Sequence, residues 1–145
     1  MLVSPAPVKK TYIVPGVIFK VMSDESVKNF VRKILGCDCA EEVFHHIENE
    51  HGVKVNGYTL KNKINVGDRL LVYVAEPVDL EKDMPALIAV GKSERDARGF
   101  NRFRLVLVSD DAGLKERAFK AFKKLPGLDE KVHLHVIDRA DTAGL

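Results

Sequence analysis

Val55-Asn56-Gly57-Tyr58, then Ile64, then Val66-Gly67-Asp68-Arg69-Leu70 running into Leu71-Val72-Tyr73-Val74, is the stretch on which the reading of the fold rests. Asn56-Gly57 is a strong turn signal, because both residues tolerate positive φ. Leu70, Val72 and Val74 alternate as one face of a strand. Working upstream, Ser23, Asp24 and Glu25 supply an N-cap and a negative first turn. Val27, Phe30, Val31, Ile34 and Leu35 then follow at the spacing of one helix face, with Gly36 as the left-handed stop. Asp38 and Glu41 have the form of a capping box, which predicts a second helix burying Ala40, Val43, Phe44 and Ile47 and ending at Gly52. Lys9 to Val14 reads as an opening strand stopped by Pro15-Gly16, and Val17 to Met22 reads as a further strand.

Downstream, Glu76 to Pro85 carries two prolines and four acids without a period and is expected to be an exposed linker. Ala86 to Val90 and Phe103 to Val108 read as strands. Ser109-Asp110-Asp111 caps a helix with Leu114, Ala118, Ala121, Phe122 and Leu125 inside, and Pro126-Gly127 ends it. Val132, Leu134 and Val136 alternate with His133, His135 and Ile137 in a last strand. Strand, helix and strand in succession predict a βαβ unit.

The chain has 145 residues, 46% of them hydrophobic, which is ample for a core. Its 23 basic and 21 acidic side chains leave a formal charge of +2, far from the excess of a dedicated nucleic-acid binder. No apolar run approaches the roughly 20 residues that span a bilayer. Met1 to Val8 has no apolar segment of the signal-peptide kind, so the chain is expected in the cytoplasm at synthesis. Cys37 and Cys39 close too short a loop to stabilise much by chain entropy, and either is available to crosslink a neighbouring subunit outside a reducing compartment.

Residues from about 9 to 74 resemble a LysM module. The resemblance is carried by Lys10-Thr11-Tyr12-Ile13-Val14 with Pro15-Gly16, the helix face from Val27 to Leu35, Val43, Phe44 and Ile47, and the closing Asn56, Ile64, Gly67 and Leu70. It implies an α+β fold: a βααβ LysM-like module over 1–75, a linker over 76–85 and a small βαβ-containing α/β unit over 86–145. The usual Gly-Asp-Thr-Leu after the first strand is replaced by Gly16-Val17-Ile18-Phe19, which removes polar groups that a glycan site needs. LysM-like modules without that site resemble the adaptors of phage tails and contractile injection machines. A helix followed by Val55-Asn56-Gly57 and Gly67-Asp68-Arg69-Leu70-Leu71-Val72 is also similar to ThiS-like β-grasp proteins and to the S4 RNA-binding fold. Carrier members end in Gly-Gly, whereas this chain ends Ala143-Gly144-Leu145.

No Gly-rich phosphate loop, nucleophile elbow or paired-carboxylate motif is present, so no catalytic residue, cofactor or metal is expected. Cys37, Cys39, His45, His46 and His51 hold soft-metal ligand types at spacings unlike the usual zinc signatures, and His133-x-His135 has no third ligand in the sequence. Both groups are read as ordinary polar positions. The segment from Lys92 to Arg104 interleaves arginines with Phe100 and Phe103. Its Arg98-Gly99-Phe100 partly matches a pattern in which strand aromatics stack on RNA bases. A basic hairpin meeting an acidic protein surface is the preferred reading.

The expected function is that of a non-enzymatic structural adaptor joining proteins of a larger homo- or hetero-oligomeric assembly, in the virion if that assembly is a phage tail or baseplate. Arg98, Arg102, Arg104, Asn56 and Tyr58 are the expected partner-binding residues. An RNA- or DNA-binding module using residues 92–104 is the alternative, and a peptidoglycan- or chitin-binding LysM protein ranks third.

Overall fold

The computed structural model describes residues 24–145. An α-helix over residues 24–29 widens into a π-helical turn at Phe30–Ile34, and the two together form α1. Val27, Phe30, Val31 and Leu35 are buried along its inner stripe, as their spacing predicts, and Gly36 at φ 68 ends it. A 3-10 helix at Glu41–His45 leads into three antiparallel strands: β1 (Ile47–Val55), β2 (Tyr58–Val66) and β3 (Leu70–Ala75). Helix α2 (Leu80–Arg98), β4 (Arg102–Val108), α3 (Ala112–Lys123) and β5 (Val132–Ile137) complete an α+β fold. The strands lie in sequence order, with β3, β4 and β5 mutually parallel. Asn56 and Gly57 both take positive φ, 48 and 87, as the tight β1–β2 turn requires. Asp111 caps α3 by accepting from the Gly113 N–H at 2.9 Å.

Several sequence expectations are overturned. The predicted second helix is one 3-10 turn followed by β1, because Ile47 to Val55 pairs along almost the whole length of β2 and this ladder outweighs a local helical pattern. The segment from 24 to 75 is therefore helix, 3-10 turn and three strands, and its order differs from the βααβ order of a LysM module. The expected strand Ala86 to Val90 lies inside α2, since a short apolar run has no period that separates strand from buried helix. The expected linker supplies the entry to that helix, with Pro85 in its second turn and the Val78 and Asp79 amides donating to the Asp83 carboxylate at 3.1 and 2.9 Å. The boundary expected between two modules is crossed by the sheet itself, where Leu70 to Ala75 pairs with Arg102 to Leu107. The proposed strands at Lys9 to Val14 and Val17 to Met22 lie outside the described residues.

Two cores sandwich the sheet. Under α2 and α3 lie Leu71, Tyr73, Phe103, Leu105, Leu107, Leu134 and Val136. Under α1 lie Phe30, Phe44, Ile47, Leu70, Val72, Val74, Val106 and Ile137. Strand β3 is buried on both faces because it sits between β2 and β4 and has helices above and below. Gly91 sets the closeness of α2 to the sheet: a Cβ there would lie 2.0 Å from the Phe103 ring, so only glycine fits without movement.

Candidate partner-binding edge and cationic cavity

The expected partner-binding residues do not form one surface. Asn56 closes the β1–β2 turn and lines a shallow hollow with Ala89, Val90 and Ser93 of α2, and Tyr58 packs at the edge of the core on that side. Arg98 ends α2, where it bonds Glu94 at 2.8 Å and lies 5.0 Å over the Phe100 ring. Arg102 and Arg104 are on β4, but alternation turns them to the opposite face of the sheet, the α1 side. Phe100 and Phe103, read as interleaved surface aromatics, are buried and have no face to offer a base.

Around α2 the charges are matched. Arg95 makes a bidentate pair with Asp129 at 2.9 and 2.8 Å, which holds the Asp129 carboxyl down to about 2. Glu94 collects Lys63, Arg98 and the Tyr73 hydroxyl. Burial pushes the Glu94 carboxyl up, yet these hydrogen bonds outweigh it and keep the group below its ordinary value. Tyr73 in turn is pushed up, by burial first and then by Glu94, so its hydroxyl stays a proton donor.

On the α1 side the balance differs. Among the described residues Arg69, Arg102 and Arg104, and on α3 the exposed Arg117, have no carboxylate partner, whereas Arg32 on α1 pairs with Glu41 and Arg95, Arg98 and Arg139 are paired elsewhere. Arg104 donates to the Leu35 carbonyl at 2.9 Å and to His135 Nε2 at 2.9 Å, which makes that ring nitrogen the acceptor. Its Nε is buried without a partner among the described residues. Burial, and then the Arg102 charge, pull the Arg104 guanidinium below its ordinary value. Burial likewise pulls the His135 imidazole down to about 4, with Arg104 and His133 adding to the effect.

Arg69, Arg102 and Arg104 line one cavity of about 410 Å³ together with Asn101, Cys37 and Cys39. The fold holds its walls firmly. The Arg69 carbonyl accepts from the Asn101 and Arg102 amides at 2.8 and 3.1 Å. Asp68, at φ 55, is locked to Asn65 by two hydrogen bonds of 2.8 and 2.9 Å, which fixes the turn that presents Arg69. Cys37 and Cys39 are joined to each other in a disulfide across a Cα separation of 5.3 Å, which leaves neither thiol free for the crosslink to a neighbouring subunit that the sequence leaves open.

A second hollow, of about 370 Å³, runs along the outer side of β5 between Lys33 and Ile34 of α1 and Lys115 and Phe119 of α3. The Phe103 amide of β4 and the Ser109 amide just beyond it bond the Lys131 and Ile137 carbonyls. In a parallel ladder, odd-numbered residues of β5 therefore face β4, and the backbone groups of Leu134 and Val136 point outward. Among the described residues no strand pairs with them. The opposite edge is less open to pairing, because Gly52, at φ 62, drops out of the β1–β2 ladder and β1 also carries Glu48, Glu50 and Lys54.

Neither the cavity nor the edge could be named from sequence, because each joins residues from three or more elements. The alternation of Arg102 and Arg104 with Phe103 and Leu105 is the available signal; the basic hairpin expected over 92–104 is instead the end of α2 followed by the start of β4. Among the described residues no group of three or more His, Cys, Asp or Glu is placed to hold a metal, and no helix is long and apolar enough to cross a membrane. No family model, curated protein or solved structure matches the chain.

Proposed function

We propose that the chain is a non-enzymatic structural adaptor that captures an extended segment of a neighbouring subunit as an added strand on β5. The observation that carries this reading is the outward backbone of Leu134 and Val136 lying in a groove between two helices. Strand addition draws affinity from main-chain bonds and specificity from the pockets beside them. Phe119, 36% exposed, offers an apolar contact on one wall. Lys33 and Lys115 are offset by Asp138 and Asp141 in the same groove, so the segment it suits is apolar and near neutral, not strongly acidic. Burial of Phe100 and Phe103 speaks against the RNA alternative, since base stacking needs exposed rings.

A photo-crosslinking side chain at Phe119 of the full chain, activated in its native source, tests the proposal. One structural protein is expected in the crosslinked product, and Lys33→Glu with Lys115→Glu on the two walls of the groove, with the crosslinking side chain kept at position 119, should remove it. Crosslinks to nucleic acid, or none above those of a control position on β1, would sink the adaptor reading.

A further inference from the structure

We propose that the cavity between β4 and the Cys37–Cys39 loop is a binding site for a doubly charged oxyanion, a phosphate group or a dicarboxylate, and that the redox state of the two cysteines sets its affinity. Three arginines and Asn101 line it, and the exposed Asp38 is the one carboxylate among its described lining residues. A half-buried cation without a counter-ion is costly unless a ligand supplies the charge. The unpartnered Arg104 Nε–H points to a missing acceptor, since buried donors are nearly always satisfied. Guanidinium donors fit phosphate and carboxylate in a bidentate manner, which favours these anions over a halide. The other unpaired positions in the cavity, Arg69 and Arg102, are exposed and need no ligand for folding. They are therefore available to bind.

The cysteines enter through charge. As a disulfide the two sulfurs are neutral and leave the guanidiniums without a counter-charge. A dithiol such as dithiothreitol attacks one sulfur and breaks the S–S bond. The electron pair leaves on the other sulfur, which takes a proton or remains a thiolate, and a second attack closes the reductant's own disulfide. Two electrons and two protons thus move from the reductant to Cys37 and Cys39. Guanidiniums beside a thiol favour its thiolate, and that thiolate then competes with an external anion. The oxidised protein should bind the oxyanion more tightly, and by linkage the oxyanion should favour the oxidised protein. The reduced loop also loses the covalent tie next to Leu35, whose carbonyl anchors Arg104, and next to Cys39, whose carbonyl accepts from Arg32 at 3.2 Å.

Calorimetric titration of the full chain with inorganic phosphate, and separately with malonate, at low ionic strength tests this site independently of the β5 edge. The oxidised protein should show saturable one-site binding of at least one probe, and the tighter probe identifies the ligand chemistry. Arg69→Gln with Arg102→Gln, both exposed, should weaken binding about tenfold or more while thermal unfolding stays unchanged. Reduction should weaken it several-fold. Absence of saturable binding by either probe, or binding that survives the double substitution, would overturn the site. Equal affinity in the two redox states would remove the cysteines from it.

Discussion

The charges packed against the two faces of the sheet differ: beneath α2 they are matched, whereas on the α1 face the arginines at the start of β4 are not, even though Lys28 and Arg32 of α1 itself pair with Glu41. Beneath α2, Arg95 is matched by Asp129, and Glu94 by Lys63, Arg98 and Tyr73, while the sheet offers Tyr73, Phe103 and Leu105 to a dry core. Beneath α1 an equally dry core of Val72, Val74 and Val106 gives way, toward the beginnings of β4 and β5, to Arg102, Arg104, His133 and His135 with no carboxylate among the described residues paired to those arginines. Matched charge on a packed face supports stability. Unmatched charge beside a cavity and an open strand edge is costly to folding and useful only to binding. The α2 face is thus assigned to stability, and the α1 face together with the β5 edge between α1 and α3 to recognition.

Substitutions should separate the two sides by size of effect. Phe103→Ala, which empties the space beneath Gly91, should cost about 3 to 5 kcal/mol in denaturant unfolding. Gly91→Ala should cost about 1 to 3 kcal/mol by overpacking against the ring, and Phe103→Leu should recover part of that loss in the double variant. A Gly91→Ala protein as stable as its parent would mean that α2 does not rest on Phe103.

Asp129→Asn removes the bidentate partner of Arg95, whose side chain is only 7% exposed. It should cost about 1 to 3 kcal/mol at neutral pH, with the exposure of Asp129 itself favouring the lower end. The pH dependence has a definite sign. Asp129 ionises at about 2 in the folded protein against 3.8 for an unperturbed carboxyl, so its contribution is complete above about pH 4 and is lost as pH falls toward 2. The Asp129→Asn protein should show a flatter stability profile across that window. Identical profiles would argue that the pair adds nothing. Smallest of all, Arg102→Gln should change stability by no more than about 0.5 kcal/mol, since this side chain is exposed and makes only a 3.4 Å contact with His133.

Much of the framework was legible because local signals and tertiary needs agreed. The stripe from Val27 to Leu35, the Asn56-Gly57 turn, the alternation from Leu70 to Val74, the Asp111 cap and the β4–α3–β5 unit all lie where periodicity and turn chemistry put them. The errors came where they disagreed. Val43, Phe44 and Ile47 have helical spacing, yet β2 offers the following residues a full ladder, and pairing prevails. Leu80, Met84, Leu87, Ile88, Gly91 and Arg95 mark one face of α2, but two prolines and a run of acids masked the start of that period. Reading Glu76 to Pro85 as a linker then hid the parallel pairing of β3 with β4. That pairing is what carries Arg69 to Arg102 and Arg104, so the cavity could not be seen from either half of the sequence.

The most direct test of the division between a stabilising and a recognising side is backbone hydrogen exchange of the full chain, alone and bound to the partner captured at Phe119. The account predicts that on binding the Leu134 and Val136 amides slow markedly, while amides of β1 and α2 exchange as before. Slowing centred on β1 or on the Asn56 hollow, with Leu134 and Val136 unchanged, would contradict it and place recognition on the side assigned here to stability.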